Sequence, residues 1–216
     1  MEGDVLRVLY TGFKGKNNSS CQLVSNISGE KLFLINSFEG LKKDIMNVKD
    51  SYDLVVMFGL DTSLKDAVRI ERSAELGGIE RATKIDCDEI CGCLTTNGVR
   101  CAVSNIPTRY LCNAAYFHML EKVSGKAVFI HIPSTKNMSE GLTEKIVKCM
   151  EELKDCDEIH FCGVCTGICV ISNIMIAKAA VPNIRLCLVE KACACVTEES
   201  HKTAFDALKT CQVDII

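Results

Sequence analysis

The feature that most constrains this chain is the alternation of short apolar runs with longer stretches of helical period. The runs fall at Leu6–Tyr10, Lys31–Ile35, Leu54–Phe58, Cys101–Ser104, Ala127–His131, Glu158–Gly163, Ile184–Val189 and Val213–Ile216. Most are apolar nearly throughout, which suits strands of a parallel sheet covered on both faces. Between them, Asn113–Val123 carries Ala114, Phe117, Leu120 and Val123 on one stripe, and Ser139–Leu153 spaces Leu142, Ile146, Cys149 and Met150 likewise, with Ser139 as its cap. Thr197–Thr210 opens on an acidic first turn, which suits a helix N-terminus. The βαβα order predicts an α/β fold: a three-layer, open, mostly parallel sheet with helices on both faces.

At 216 residues the chain is one large domain or two small ones. Its formal net charge of −3 and lack of a basic stripe argue against nucleic acid or an anionic membrane as partner. No apolar run reaches the ~20 residues that span a bilayer, and the opening MEGDVLRV lacks the layout of a signal peptide. A cytoplasmic protein is expected. The 15 cysteines are odd in number, which argues against a closed disulfide framework. Most sit in apolar runs, where cysteine serves as a small hydrophobe, so most are expected to be packing residues.

Two residues stand where chemistry collects. Cys112 falls where a strand and turn give way to a helix, so the positive helix end would favour its thiolate and unpaired N–H groups could receive an oxyanion. His131 ends the apolar run AVFIHIP, at the strand end where reacting groups gather in α/β sheets. They read either as a thiolate–imidazolium pair or as a buried cysteine beside a satisfied histidine.

The wording of the chain resembles the pyrrolidone-carboxylate peptidases, also called pyroglutamyl peptidase I. The segments are VLRVLYTGF (5–13), Asn18-Ser19-Ser20, YDLVVMFGL (52–60), RIERSAELGGIER (69–81), NGVRCAVSNIPTRYLCN (97–113), FIHIPST (129–135) and SEGLTEKIVKCMEEL (139–153). They keep the family's order over about the first 153 residues. The resemblance implies that Cys112 is the nucleophile, His131 its general base and Glu71 the carboxylate that orients the imidazole. It likewise implies Arg81 beside the oxyanion and Phe13 against the pyroglutamyl ring. It implies a small peptide or amide substrate, acyl transfer to cysteine, no metal or organic cofactor, and a homo-oligomer. The chain departs from the family in reading KGKNNSS after Phe13, in Pro107-Thr108 ahead of the nucleophile, and in a shorter segment between Glu71 and Cys112.

Residues 158–216 resemble instead the C-terminal half of the isochorismatase-like cysteine hydrolases, which include the nicotinamidases. GVCTGICV matches the turn that holds that family's nucleophile, and KACACVTEESHKTAFDAL the strand and helix after it. The resemblance implies Cys169 as an alternative nucleophile and a cis bond between Val164 and Cys165. The Asp and Lys that such a site needs have no counterpart in the first half, so Cys169 is expected to be structural. Cys162-x-x-Cys165-x-x-x-Cys169 reads as packing before it reads as a metal or redox site. The chain is thus divided at 1–153, peptidase-like, and 154–216, an isochorismatase-like βαβαβ segment in its own lobe or continuing the same sheet. Three functions follow, in descending order: a pyroglutamyl-type cysteine peptidase, an amidohydrolase using Cys169, and a non-catalytic α/β module.

Overall fold

The structure is a computed structural model and describes residues 6–152, 158–180 and 184–216. The chain forms two compact units, 6–154 and a smaller one that holds 155–216. In order, the larger unit runs β1 (Val8–Phe13), α1 (Ser19–Asn26), β2 (Glu30–Leu34), α2 (Phe38–Met46), β3 (Leu54–Leu60), β4 (Ala67–Glu71), β5 (Ser73–Leu76), β6 (Ile79–Ala82), α3 (Cys87–Thr96), β7 (Arg100–Ser104), α4 (Tyr110–Lys122), β8 (Ala127–Ile132) and α5 (Glu140–Glu152).

Six strands form its sheet in the order β2-β1-β3-β8-β4-β7. The first four run parallel, while β4 meets β8 antiparallel and pairs parallel with β7. Alternation along each strand divides the core between the two faces. Tyr10, Val56, Phe58, Ile70, Val128, Ile130 and Ile132 pack with Leu23 and Val24 of α1, Ile90 and Leu94 of α3, and Leu142 and Ile146 of α5. The opposite face presents Leu9, Phe13, Val55, Met57, Ala127 and Phe129 to Leu41 and Ile45 of α2 and to Tyr116, Met119 and Leu120 of α4. Helices therefore cover both faces, as the α/β pattern predicts. A separate hairpin, β5 with β6, turns at Gly77 and Gly78, whose φ values of +62° and +78° are open to glycine at no steric cost.

The smaller unit runs β9 (Glu158–Val164), a π-helical turn Thr166–Val170, α6 (Ile171–Ala180), β10 (Arg185–Ala194), α7 (Glu198–Thr210) and β11 (Asp214–Ile215). Its three described strands form a parallel sheet, ordered β11-β10-β9. Thr197 caps α7 in a capping box with Ser200. The Val164–Cys165 bond is cis.

Among the described residues no helix is long and apolar enough to cross a membrane. The helix expected over Ser139–Leu153 is present as α5, but Leu153 lies outside the described residues. Cys87, Cys149 and Cys187 are buried, and Cys91, Cys93, Cys101, Cys112 and Cys193 pack half-buried against the core clusters, so most of the described cysteines do pack; Cys162, Cys169 and Cys211 are exposed. Cys162 lies on the half-covered strand β9, where exposed and partly covered positions alternate.

Candidate active site

The site is built where β3 and β8 end and β4 approaches them. In the sheet, His131 of β8 stands beside Gly59 of β3 on one side and Arg69 of β4 on the other. Neighbours across a ladder share a face, and Glu71 lies two residues beyond Arg69, so all four positions face α4. Helix α4 brings in Cys112 from its first turn. A Cβ added at Gly59 would meet Cys112 Sγ at 2.9 Å and the Phe129 ring at 2.5 Å, so the thiol rests directly over this bare stretch of β3, next to His131.

His131 and Glu71 are buried, and His131 Nδ1 lies 2.8 Å from Glu71 Oε1. The same Oε1 accepts from Arg69 Nε at 2.8 Å, and Arg69 continues to Asp61 Oδ2 at 2.8 Å. Burial pushes the Glu71 carboxyl up, but the hydrogen bonds and charges of His131 and Arg69 outweigh it and hold the group below its ordinary value. Asp61 is likewise held low: burial opposes ionisation, while bonds from Ser63 and Arg69 favour it. An ionised carboxylate only accepts, so Nδ1 of His131 is the donor in this bond and Nε2 is the ring nitrogen left for other work.

Burial pushes the Cys112 thiol up to about 12, with Asp61 and then Glu71 adding to the shift. The resting group is therefore a neutral thiol, not the ready thiolate that its place at a helix end suggests. Arg109, the residue capping α4, makes no side-chain bond to the helix, so the first-turn N–H groups are not taken up by a capping side chain. Tyr110 just after it holds φ at +76°, a strained value for a bulky residue, at the turn that delivers the thiol. Asn113, next to Cys112, ties this turn down: its Oδ1 accepts from Glu75 N at 3.0 Å and its Nδ2 donates to Glu75 O at 2.6 Å. Tyr116 fixes β4 from the same helix by donating to Glu71 O at 3.0 Å.

Solved structures, but neither a protein-family model nor a curated protein, match this chain. A mutant pyrrolidone carboxyl peptidase from the hyperthermophile Pyrococcus furiosus aligns over 67% of this chain and 94% of its own, at 18% identity and a TM-score of 0.58. The pyrrolidone carboxyl peptidase of Thermus thermophilus aligns over 68% and 99%, at 16% identity and a TM-score of 0.59. Pyroglutamyl peptidase I of Bacillus amyloliquefaciens aligns over 68% and 94%, at 17% identity and a TM-score of 0.56. The shared fold is that of the pyrrolidone carboxyl peptidases. At these identities the likeness is one of fold, and it leaves about a third of the chain outside it. The isochorismatase-like wording of residues 158–216 gains nothing from these matches.

The structure gathers Cys112, His131 and Glu71 in one place, and Phe13 lies buried in the core cluster against which Cys112 packs. Arg81 Nη2 bonds Glu121 Oε1 at 2.7 Å, and its guanidinium lies 4.6 Å from the centre of the Phe117 ring. Glu121 is nine residues beyond Cys112 on α4, about 13 Å along the helix axis. In this structure Arg81 thus braces β6 against α4, and its expected place beside the oxyanion stays an expectation. Sequence reading missed Asp61 and Arg69; the signals available were a carboxylate just past the end of a strand and an arginine two residues before Glu71, on the same strand face.

In the smaller unit Cys169 is exposed on the π-helical turn. Cys162, Cys165 and Cys169 do not converge as metal ligands among the described residues. Glu158, His160 and Cys187 do approach one another, but Arg185 Nη1 bonds Glu158 Oε2 at 2.7 Å and already places a positive charge there.

Proposed function

We propose that the larger unit is a cysteine hydrolase of the pyroglutamyl peptidase type, acting on small peptides or amides with an N-terminal pyroglutamate. The observation that carries this reading is the buried His131–Glu71 pair at 2.8 Å with the Cys112 thiol over the adjoining Gly59. Two-thirds coverage by pyrrolidone carboxyl peptidase folds supports it. On this reading His131 Nε2 takes the thiol proton as Cys112 Sγ attacks the lactam-bearing acyl carbon. The proton then passes to the departing amine, and water, activated by the same nitrogen, releases pyroglutamate from the thioester. Glu71 keeps the ring in its Nδ1–H tautomer, and first-turn N–H groups of α4 face the oxyanion. Phe13 supplies an apolar wall for the substrate. The chemistry needs no cofactor, and a reducing compartment such as the cytoplasm would keep Cys112 reduced.

The experiment is release of a fluorogenic amine from a pyroglutamyl amide by wild-type protein, Cys112→Ala and Cys169→Ala under reducing conditions, with ammonia release from nicotinamide measured alongside. Cleavage lost with Cys112 and retained without Cys169 supports the reading. Cleavage unaffected by Cys112→Ala, or ammonia release that depends on Cys169, overturns it.

A further inference from the structure

The thiol chemistry of the smaller unit is not exhausted by Cys169. Spacing along the chain joins Cys165 to Cys162 and Cys169, but the fold joins it to Cys195, thirty residues on. The parallel pairing of β9 with β10 sets Val164 beside Ala194, and the residue after each strand end is a cysteine. Cys165 Sγ and Cys195 Sγ lie 3.0 Å apart, closer than two unbonded sulfurs normally pack. Ser200 Oγ, from the first turn of α7, stands 3.2 Å from Cys195 Sγ.

We propose that Cys165 and Cys195 form a dithiol site that exchanges with low-molecular-weight disulfides and closes to an intramolecular disulfide. The inference stands on the smaller unit alone and does not depend on the peptidase reading.

Three further observations give the site its direction. Ser200 Oγ adds a second polar neighbour to Cys195 Sγ at 3.2 Å, and hydrogen bonds from Cys165, Ser200 and the Gly167 N–H pull the Cys195 thiol down, which favours Cys195 as the attacking thiolate and Cys165 as the resolving thiol. Both are half-buried, but residues 167–169 and 196–199 around them are exposed, which leaves an approach for a small disulfide. No third His, Cys, Asp or Glu ligand atom joins the pair among the described residues, which favours exchange over metal binding. The chemistry balances. Cys195 thiolate attacks one sulfur of the small disulfide, forming a mixed disulfide and releasing one small thiolate. Cys165 then gives up its proton and attacks Cys195 Sγ, closing the protein disulfide and releasing the second small thiol. The small disulfide is reduced by two electrons and the pair oxidised by two.

The larger unit supplies an internal contrast. Cys101 shares a hydrogen bond with Cys91 and Cys149 with Cys93, all four being free thiols, but burial first and then the neighbouring thiol push Cys101 and Cys149 far up, out of the reactive range. Proximity of thiols alone does not make those pairs reactive.

The test uses the full chain, fully reduced, then equilibrated with glutathione buffers of increasing oxidised fraction, alkylated and mapped by peptide mass spectrometry. The expected product is a Cys165–Cys195 linked peptide at buffer ratios where Cys91, Cys101, Cys93 and Cys149 remain alkylated. In Cys165→Ser a glutathione adduct should accumulate on Cys195 about tenfold faster than on Cys165 in Cys195→Ser. Free Cys165 and Cys195 at every ratio in the wild-type protein would overturn the proposal without reference to any variant. So would linkage of Cys195 to another cysteine, or stoichiometric zinc uptake by the reduced protein that both variants lose.

Discussion

Arg69 Nε and His131 Nδ1 converge on one oxygen of Glu71, each at 2.8 Å, while the other oxygen, Oε2, is buried and has no hydrogen-bond partner among the described residues. A carboxylate bonded in this one-sided way holds the imidazole in place. Replacing it by Gln keeps the shape but lets the amide nitrogen face His131, which would reverse the ring's tautomer. Glu71→Gln is expected to lower kcat on a pyroglutamyl amide by ~10⁴, by analogy with triad carboxylates, with little change in KM. A fall of less than about tenfold would remove Glu71 from the machinery.

The same group predicts an acid response. Glu71 titrates below its ordinary value in the folded state, so its contribution is complete above the unfolded pKa of about 4.3 and is lost as pH falls through the depressed folded value. Urea midpoints should therefore decline on acidification below about pH 4.3, and Glu71→Gln should flatten the decline. Equal slopes in the two proteins would mean that other carboxylates carry the acid response.

Cys112 should behave as a hidden thiol. Burial first, then the charges of Asp61 and Glu71, raise it to about 12. Alkylation of Cys112 by iodoacetamide, followed by peptide mass spectrometry, should climb steadily with pH and show no plateau near neutrality. Asp61→Asn removes the leading charge and should shift that profile to lower pH. A plateau by pH 8 in the wild-type protein would contradict the buried, carboxylate-facing environment.

How much of this could be read from the chain depends on which interactions local spacing can express. His131 and Cys112 were legible because a strand end and a helix start leave their mark in a dozen neighbouring residues. The layers were legible too, since Val55-Val56-Met57-Phe58 is apolar on both sides and needs cover on both faces. β4 was not. Its residues Arg69 and Glu71 look like the solvent side of an exposed strand, whereas they turn inward and satisfy each other and His131. Helices α1, α2, α3 and α6 also escaped notice, being short or, in the case of α6, apolar on several sides. Cys165 drew attention to its neighbours in sequence, and only the parallel register of β9 with β10 reveals Cys195. The ion pair of Arg81 with Glu121 was not legible either, since forty residues separate the two and only the packing of β6 on α4 brings them together.

Arg81 can be tested directly. It is about one-third exposed and pairs with a half-exposed Glu121, a geometry worth ~0–1 kcal/mol, with a similar amount from Phe117. Arg81→Ala should lower stability by about 1–2 kcal/mol in urea unfolding and leave kcat/KM within about threefold. Loss of an oxyanion donor would instead cost ~10²–10³ in rate. A loss of that size would show that Arg81 leaves Glu121 when substrate binds.

The closest approach in the site yields the last prediction. At Gly59 a methyl group would intrude to 2.5 Å from Phe129 Cζ and 2.9 Å from Cys112 Sγ. Phe129 of β8 is buried and its ring centre lies 4.8 Å from that of His131, the two rings tilted at 50°, so it has little room to yield without moving the base. Gly59→Ala should therefore destabilise the larger unit by about 1–3 kcal/mol and also displace the thiol from the imidazole. The expected signature is a loss of activity at temperatures where circular dichroism still reports a folded protein. An alanine variant with unchanged stability and rate would mean that α4 can lift away from the sheet, and that Cys112 does not need its seat over β3.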